Sequence, residues 1–211
     1  TAPVEQREKA TLGDREAREL VRALVAHPHI SEAAALSTCN RTEVYAVVDD
    51  PLAAEPVLVD ALLSHTRISS AELECARYTR RDERATAQLF RVVSSLDSMV
   101  VGESEIQGQV RAAWERAREE GTAGPTLNQL FRRALEVGKR VRSETRISAG
   151  PASVSTVAAS IACDQFADLA SRSVLVLGAG KMAEGTTISL VDRGADEVVV
   201  INRTVSTARE L

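Results

Sequence analysis

Apolar residues recur at helical spacing over 14–26, where Ala17, Leu20, Val21, Leu24 and Val25 form one stripe and predict an amphipathic helix. Residues 33–37 and 43–48 are short apolar runs that read as strands, the second alternating through Val44, Ala46 and Val48. The polar stretch Thr38-Cys39-Asn40-Arg41 separates them. A helix fits 51–65, and Ser69 with Glu72 makes a capping-box pattern that opens a shorter one. Residues 83–96 and 104–120 read as further helices, broken near 98–102. After Gly121-Thr122-Ala123-Gly124-Pro125 a strong helix is expected over 127–145, with Leu127, Leu130, Phe131, Ala134, Leu135 and Val141 on its apolar stripe. Another helix, rich in Ala, Val and Ser, is expected over 153–170. The pattern then changes. Residues 174–177 predict a short buried strand, 178–180 a turn, 181–193 a helix and Glu197–Ile201 a second strand, which is a βαβ arrangement.

These elements predict a chain that combines α/β and α+β architecture. A small mixed αβ catalytic domain is expected over 1–150, a long helical connector over 151–172, and the start of a Rossmann-type dinucleotide-binding domain over 173–211. Both ends read as cut: no strand precedes Thr1-Ala2-Pro3-Val4, and Leu211 falls in the middle of the dinucleotide fold. Aromatic residues are only 3% of the chain, so its core must be built from Val, Leu, Ile and Ala. A net charge of -4 argues against a surface coated by nucleic acid but permits a local basic face. No apolar run reaches the roughly 18 residues of a membrane helix, so no membrane partner and a cytoplasmic setting are expected. Cys39, Cys75 and Cys163 are odd in number and far apart, which favours free thiols over a disulfide framework. The scattered histidines give no metal-ligand spacing, and no metal site is expected.

Two motifs carry chemistry. Gly178-Ala179-Gly180-Lys181-Met182-Ala183 matches G-x-G-x-x-G/A directly after a strand and before a helix. Glycines allow the tight turn and the close approach of backbone to a pyrophosphate, and the helix N-terminus offers free N–H groups and a positive dipole end. The second strand runs into Asn202-Arg203-Thr204 rather than an acid. An acid would repel a 2′-phosphate, whereas a guanidinium pairs with it, so NADPH is the expected cofactor. The other motif is Cys39, in a polar connection beside Arg41. That setting suits a nucleophilic thiolate and a bound carboxylate, although a loop cysteine taken alone is more often a bystander.

Leu36-Ser37-Thr38-Cys39-Asn40-Arg41-Thr42-Glu43 is similar to the active-site signature of the glutamyl-tRNA reductases. Other stretches agree in order and spacing: Thr1-Ala2-Pro3-Val4, Leu96-Asp97-Ser98-Met99-Val100-Val101-Gly102-Glu103, residues 106–110, Val137-Gly138-Lys139-Arg140-Val141, and the glycine turn. The resemblance covers nearly the whole chain. It implies Cys39 as nucleophile, with Thr38, Asn40 and Arg41 as substrate contacts, Arg41 suited to the glutamyl carboxylate. It implies that Ser98, Glu103, Ser104, Glu105 and Gln109 hold the rest of the glutamyl group, and that the glycine turn binds NADPH. The implied reaction forms a thioester on Cys39 from glutamyl-tRNA and reduces it to glutamate-1-semialdehyde, the first step of C5-pathway tetrapyrrole synthesis. The implied partners are glutamyl-tRNA, a second copy through a C-terminal dimerisation domain absent from this chain, and glutamate-1-semialdehyde aminomutase.

Two positions depart from that family's pattern. Gln88 stands where the family typically has a His important for activity, and an amide cannot titrate. Glu105 stands where Gln is usual, and its charge opposes a glutamate substrate. They keep open a divergent paralogue acting as a binding module, or a reductase of another aminoacyl-tRNA. For a tRNA partner, 127–145 offers Arg132, Arg133, Lys139, Arg140 and Arg142 against only Glu136 and Glu144. From the residues alone, a solvated helix face is the plainer reading of that run.

Overall fold

The computed structural model describes residues 2–147, 153–166 and 168–210, and the side chain of Lys181 lies outside the description. Parts of three expectations fall outside as well: Thr1 of the opening motif, 148–152 at the domain boundary, and Ala167 within the expected helix 153–170. The chain divides into two compact units, Thr1–Ile147 and Ser148–Leu211.

The first unit is built around a hairpin. Strand β1 (Ile30–Ser37) pairs antiparallel with β2 (Thr42–Val48), with Ser37 opposite Thr42 and Ala35 opposite Val44. Helices α1 (Val4–Ala10) and α2 (Asp14–Val25) precede it. After it come α3 (Pro51–His65), α4 (Ser70–Ala76), α5 (Glu83–Val93), α6 (Glu105–Glu119) and α7 (Pro125–Glu144). Both faces of β1 are covered. Ala33 and Ala35 pack with Leu20, Leu24 and Ala54 from α2 and α3, while Ala34 and Leu36 pack with Leu89, Val93, Val110 and Phe131 from α5, α6 and α7. That two-sided burial is why β1 carries an unbroken apolar run over 33–36 where β2 alternates. Its outer edge is closed by the Ala33 N–H, which donates to the Thr122 carbonyl at 2.8 Å.

Local signals set the helix ends. The capping box expected at Ser69 and Glu72 forms and starts α4. Buried Glu32, on β1, accepts from the backbone N–H groups of Thr126 and Leu127 and so caps α7 from a neighbouring element. α5 stops at Val93, short of the expected 96. Ser95 adopts φ +58°, and the N–H groups of Ser95 and Leu96 return to the carbonyls of Val92 and Arg91. This left-handed termination satisfies carbonyls that would otherwise be orphaned.

The second unit has α8 (Val154–Phe166), β3 (Ser173–Leu177), α9 (Lys181–Val191), β4 (Glu197–Ile201) and α10 (Val205–Arg209). β3 and β4 are parallel, with Leu175 opposite Val199. This is the βαβ start of a Rossmann-like fold. α8 ends earlier than the expected 170; beyond it Leu169 turns into a small core with Ala159, Leu190 and Ala195. α8 packs closely on α9 because Gly185 has no side chain: a Cβ there would sit 3.0 Å from Ser155 Oγ.

Candidate active site

Cys39 is exposed at the tip of the β1–β2 connection. The loop under it is tightly braced. The Thr38 N–H donates to the Arg41 carbonyl at 2.8 Å, and Thr38 Oγ1 accepts from the N–H groups of Asn40 and Arg41 at 3.2 Å each. Thr38, expected as a substrate contact, therefore already uses its hydroxyl as an internal brace. The loop base is laced to the N-terminal segment: Ser37 Oγ accepts from the Leu12 N–H, and Thr42 Oγ1 donates to the Ala10 carbonyl.

Behind the loop lies a polar network that involves Arg41. Its Nη1 donates to Glu43 at 3.0 Å and to Asp97 Oδ2 at 2.9 Å, and its Nη2 donates to the Asp97 carbonyl. Burial works against the Arg41 charge, but the bond to Asp97 and the field of Glu43 outweigh it and hold its pKa above the usual value. Burial likewise pushes the Asp97 carboxyl up, and the bonds from Arg41 and Gln88 more than reverse this. Glu43 also accepts from the hydroxyls of Tyr45 and Tyr78. Burial first, and Glu43 second, push both phenols well above their ordinary range, so they remain donors. Arg41 was expected to be available to a substrate carboxylate; here it is committed to two protein carboxylates.

Gln88, on α5, joins this network. Its Nε2 lies 3.0 Å from Asp97 Oδ2 and 3.3 Å from both Glu43 Oε1 and the Tyr78 hydroxyl. Ser98 donates to Glu103 Oε1 at 3.3 Å. The Glu103 carboxylate in turn accepts from the N–H groups of Glu105 and Ile106, capping α6. Ser98 and Glu103 are thus brought together, with Glu103 holding a helix end. Ser104, the N-cap of α6, and Glu105, its first residue, are exposed, and Gln109 is half-buried one turn further on. The 94–104 loop is tied down by Arg142, which donates to the carbonyls of Gly102 and Glu103. Gly102 takes φ +87°, and a Cβ there would meet the Ile147 carbonyl oxygen, so the position requires glycine.

The glycine turn of the second unit fits a dinucleotide. Gly178 adopts φ +106°, and a Cβ built on Gly178 or Gly180 meets nothing within 4 Å, leaving open space above the backbone. Gly180 is the N-cap of α9 and offers no side-chain cap, so the first amides, around Lys181, Met182 and Ala183, are free to face an anion. Beyond β4, Asn202 Nδ2 donates to the Thr204 carbonyl at 2.9 Å and shapes the turn. Arg203 is exposed on it, with no ion pair among the described residues.

Residues 1–145 match the family model described as the N-terminal domain of glutamyl-tRNA(Glu) reductase. The chain belongs to the glutamyl-tRNA reductase family. Residues 160–211 match the model described as shikimate/quinate 5-dehydrogenase. The glutamyl-tRNA reductase of Syntrophotalea carbinolica is 43% identical over 211 residues, covering 100% of this chain and 48% of that protein. The one from Rubrobacter xylanophilus is 45% identical over 212 residues, covering 100% and 49%. The solved glutamyl-tRNA reductase from Methanopyrus kandleri has a TM-score of 0.64 and 39% identity, covering 99% of this chain and 49% of that one. The chain therefore spans about half the length of the relatives it matches.

The basic run of α7 is partly paired within its own helix. Arg133 pairs with Glu136 at 2.8 Å, Arg140 with Glu144 at 3.0 Å, and Arg142 is spent on the 102–103 backbone. A groove of about 500 Å³ between α6 and α7 is lined by Arg111, Trp114, Arg132 and Lys139, with Glu136 also on its wall. Arg111, Arg132 and Lys139 are exposed there without ion pairs among the described residues. Glu43, Tyr78, Asp97 and Arg7 are the site residues that sequence reasoning missed. Glu43 gave one signal, an acid two positions after Arg41 in an otherwise apolar strand. Tyr78, Asp97 and Arg7 gave none, because they reach the loop only through tertiary contacts.

Among the described residues no helix is long and apolar enough to cross a membrane, and no group of His, Cys, Asp and Glu could hold a metal ion.

Proposed function

We infer that this chain carries the thioester-forming unit and the first part of the cofactor unit of an NADPH-dependent reductase. The reductase converts glutamyl-tRNA to glutamate-1-semialdehyde. The observation that carries this reading is an exposed thiol, Cys39, on a loop braced from both sides, in a chain of this family. A thiolate there attacks the ester carbonyl that joins glutamate to the tRNA. The carbon–sulfur bond forms, the carbon–oxygen bond breaks, and the tRNA leaves as a free hydroxyl after taking a proton. Asn40, Ser98 and Gln109 are proposed to orient the acyl group. The free cations Arg111, Arg132 and Lys139 are proposed to contact tRNA phosphates.

Gly178, Ala179, Gly180, Met182 and Ala183 are proposed to cradle the pyrophosphate of NADPH, with Arg203 on its 2′-phosphate. NADPH, when bound, supplies the hydride that takes a thioester to the aldehyde level. Pairing with a second copy and handover of the aldehyde to an aminomutase are proposals of the same reading. The test is to incubate the full-length protein with glutamyl-tRNA and either NADPH or NADH and to detect the aldehyde. Aldehyde made with NADPH in preference to NADH is expected. No aldehyde with either cofactor would favour the second reading, a binding module, which rests on Gln88 standing in place of a titrating group.

A further inference from the structure

Resting on the tRNA reading above, we propose that the groove between α6 and α7 is a separate site for one unpaired nucleotide of the tRNA, its base stacked on Trp114 and its phosphates on Arg111, Arg132 and Lys139. Helix geometry makes the groove. Ser104, Gly108, Arg111 and Trp114 follow one another at spacings of three and four and so share one face of α6, and Arg132, Glu136 and Lys139 share one face of α7 in the same way. The three cations have no ion pair among the described residues, while the acid on the wall, Glu136, is held by Arg133 at 2.8 Å. The groove therefore carries a net positive charge.

A phosphate backbone alone asks for no more than these cations. Two further features point to an unstacked base. Trp114 stands half-buried on the groove wall, and its Nε1–H is already used, donating to Asn128 Oδ1 at 2.8 Å. Arg118 lies 5.4 Å over the ring and is not part of the groove lining. The ring is thus fixed and offers a π-face rather than a donor, which is how aromatic side chains take unpaired bases. The second feature is Gly108. Glycine inside a helix is less stable than alanine there, and close packing is a common reason to keep it. Gly138 on α7 is used in that way: a Cβ there would lie 3.0 Å from the Val93 carbonyl oxygen. Gly108 is not, because a Cβ there meets nothing within 4 Å. Its missing side chain leaves room on the groove floor that no described atom of the chain fills, and such room suits the close approach of a ligand. A volume of about 500 Å³ fits one small unit rather than a duplex. One end of the groove is Ser104, next to the Glu103 carboxylate that bonds Ser98, and Trp114 lies about 15 Å further along α6 by helical rise. That is where the unpaired strand bearing the acyl group would run.

The test is equilibrium binding of the full-length protein to uncharged tRNA, either intact or trimmed of its unpaired 3′ nucleotides, and to adenosine monophosphate as a free nucleotide. Trimming should weaken binding to the unaltered protein by at least about 5-fold. Trp114→Leu should weaken binding of the intact tRNA by about 5- to 100-fold, the worth of stacking one base. It should leave binding of the trimmed tRNA unchanged, because both changes remove the same contact. Trp114→Phe should keep most of the affinity. Gly108→Gln, which fills the opening with a good helix former, should weaken binding of the intact tRNA while unfolding at no lower denaturant concentration. Each intact-to-trimmed ratio is taken within one variant, so a general loss of folded protein cancels. An equal loss with both tRNAs in Trp114→Leu, or no loss with either, would overturn the proposal and leave the tRNA reading standing. Adenosine monophosphate bound as tightly as the intact tRNA would overturn it in favour of a free nucleotide. No binding of either tRNA by the unaltered protein would instead remove the tRNA reading, and this proposal with it.

Discussion

The two units present their chemistry in opposite ways. In the first, β1 is buried on both faces and the charged groups behind Cys39 are locked to one another. In the second, only one face of the parallel pair is packed, through Val174 and Val198. Leu175, Leu177, Val199 and Ile201 stay exposed on the other, although parallel sheets are normally covered on both sides. The chain spans about half the length of its relatives, so the comparison rests on the chemistry each unit offers a ligand and not on that open face. A nucleophile and its selecting side chains must be held by a surrounding core, because each side chain brings its own rotamer freedom. A phosphate cradle is made of backbone amides at a helix start, positioned by a glycine turn.

The comparison breaks most readily at Glu43. Replacing it by Gln removes the buried carboxylate that Arg41, Tyr45, Tyr78 and Gln88 share. Loss of one partner from a buried charged network costs about 3 kcal/mol, and chemical denaturation of Glu43→Gln should show a loss of that order. A change under about 1 kcal/mol, the range of exposed pairs, would mean that the network does not hold the loop.

Gln88→His sharpens the same point. The amide nitrogen sits between Asp97 at 3.0 Å and Glu43 at 3.3 Å, so an imidazole there would be favoured in its charged form. Single-turnover aldehyde formation should rise by about 100-fold, the lower end of general acid–base assistance. Its pH profile should show a group titrating above the ordinary imidazole value of about 6.5. An unchanged rate would show that the Gln already does what is needed by hydrogen bonding.

In the second unit the expected effects are smaller and confined to binding. Arg203→Asp should shift the NADPH-to-NADH affinity ratio by about 10-fold toward NADH, with unfolding unaltered. Equal affinities in the unaltered protein would contradict the assignment.

Much of this architecture is legible in the sequence. Alternation in β2, the apolar stripe of α7, the capping box of α4 and the strand–glycine–helix order of the second unit each have a local cause. α1 was not legible, because it is seven residues long and buries none of them. The stop of α5 depends on Ser95 entering a left-handed conformation that nothing in a Ser-Ser pair announces. The site was half legible. Cys39 and its loop stood out as a polar break between apolar strands, but the partners of Arg41 could not be read, because Asp97 is 56 residues away. The pairing in the basic run of α7 was legible, because its acids Glu136 and Glu144 sit at i+3 and i+4 from Arg133 and Arg140.

The smallest expected effect tests the anchoring of α1. Glu72 is held at a pKa of about 2, first by Lys9 and then by the Ser69 backbone and hydroxyl. A carboxyl lowered in the folded state contributes stability that is present above its ordinary value of about 4.5. That contribution is lost as pH falls through about 2. An NMR titration should therefore find Glu72 still ionised at about pH 3. Titration at the ordinary value would mean that Lys9 and the cap do not hold α4 against the N-terminal segment.

The most direct test of the central claim is the intact mass and peptide map of the full-length protein after incubation with glutamyl-tRNA in the absence of NADPH. The account predicts one glutamyl group, released by hydroxylamine as a thioester should be, on the peptide containing Cys39 and absent from Cys39→Ser. An unmodified protein, or the same group on Cys75 or Cys163, would contradict it.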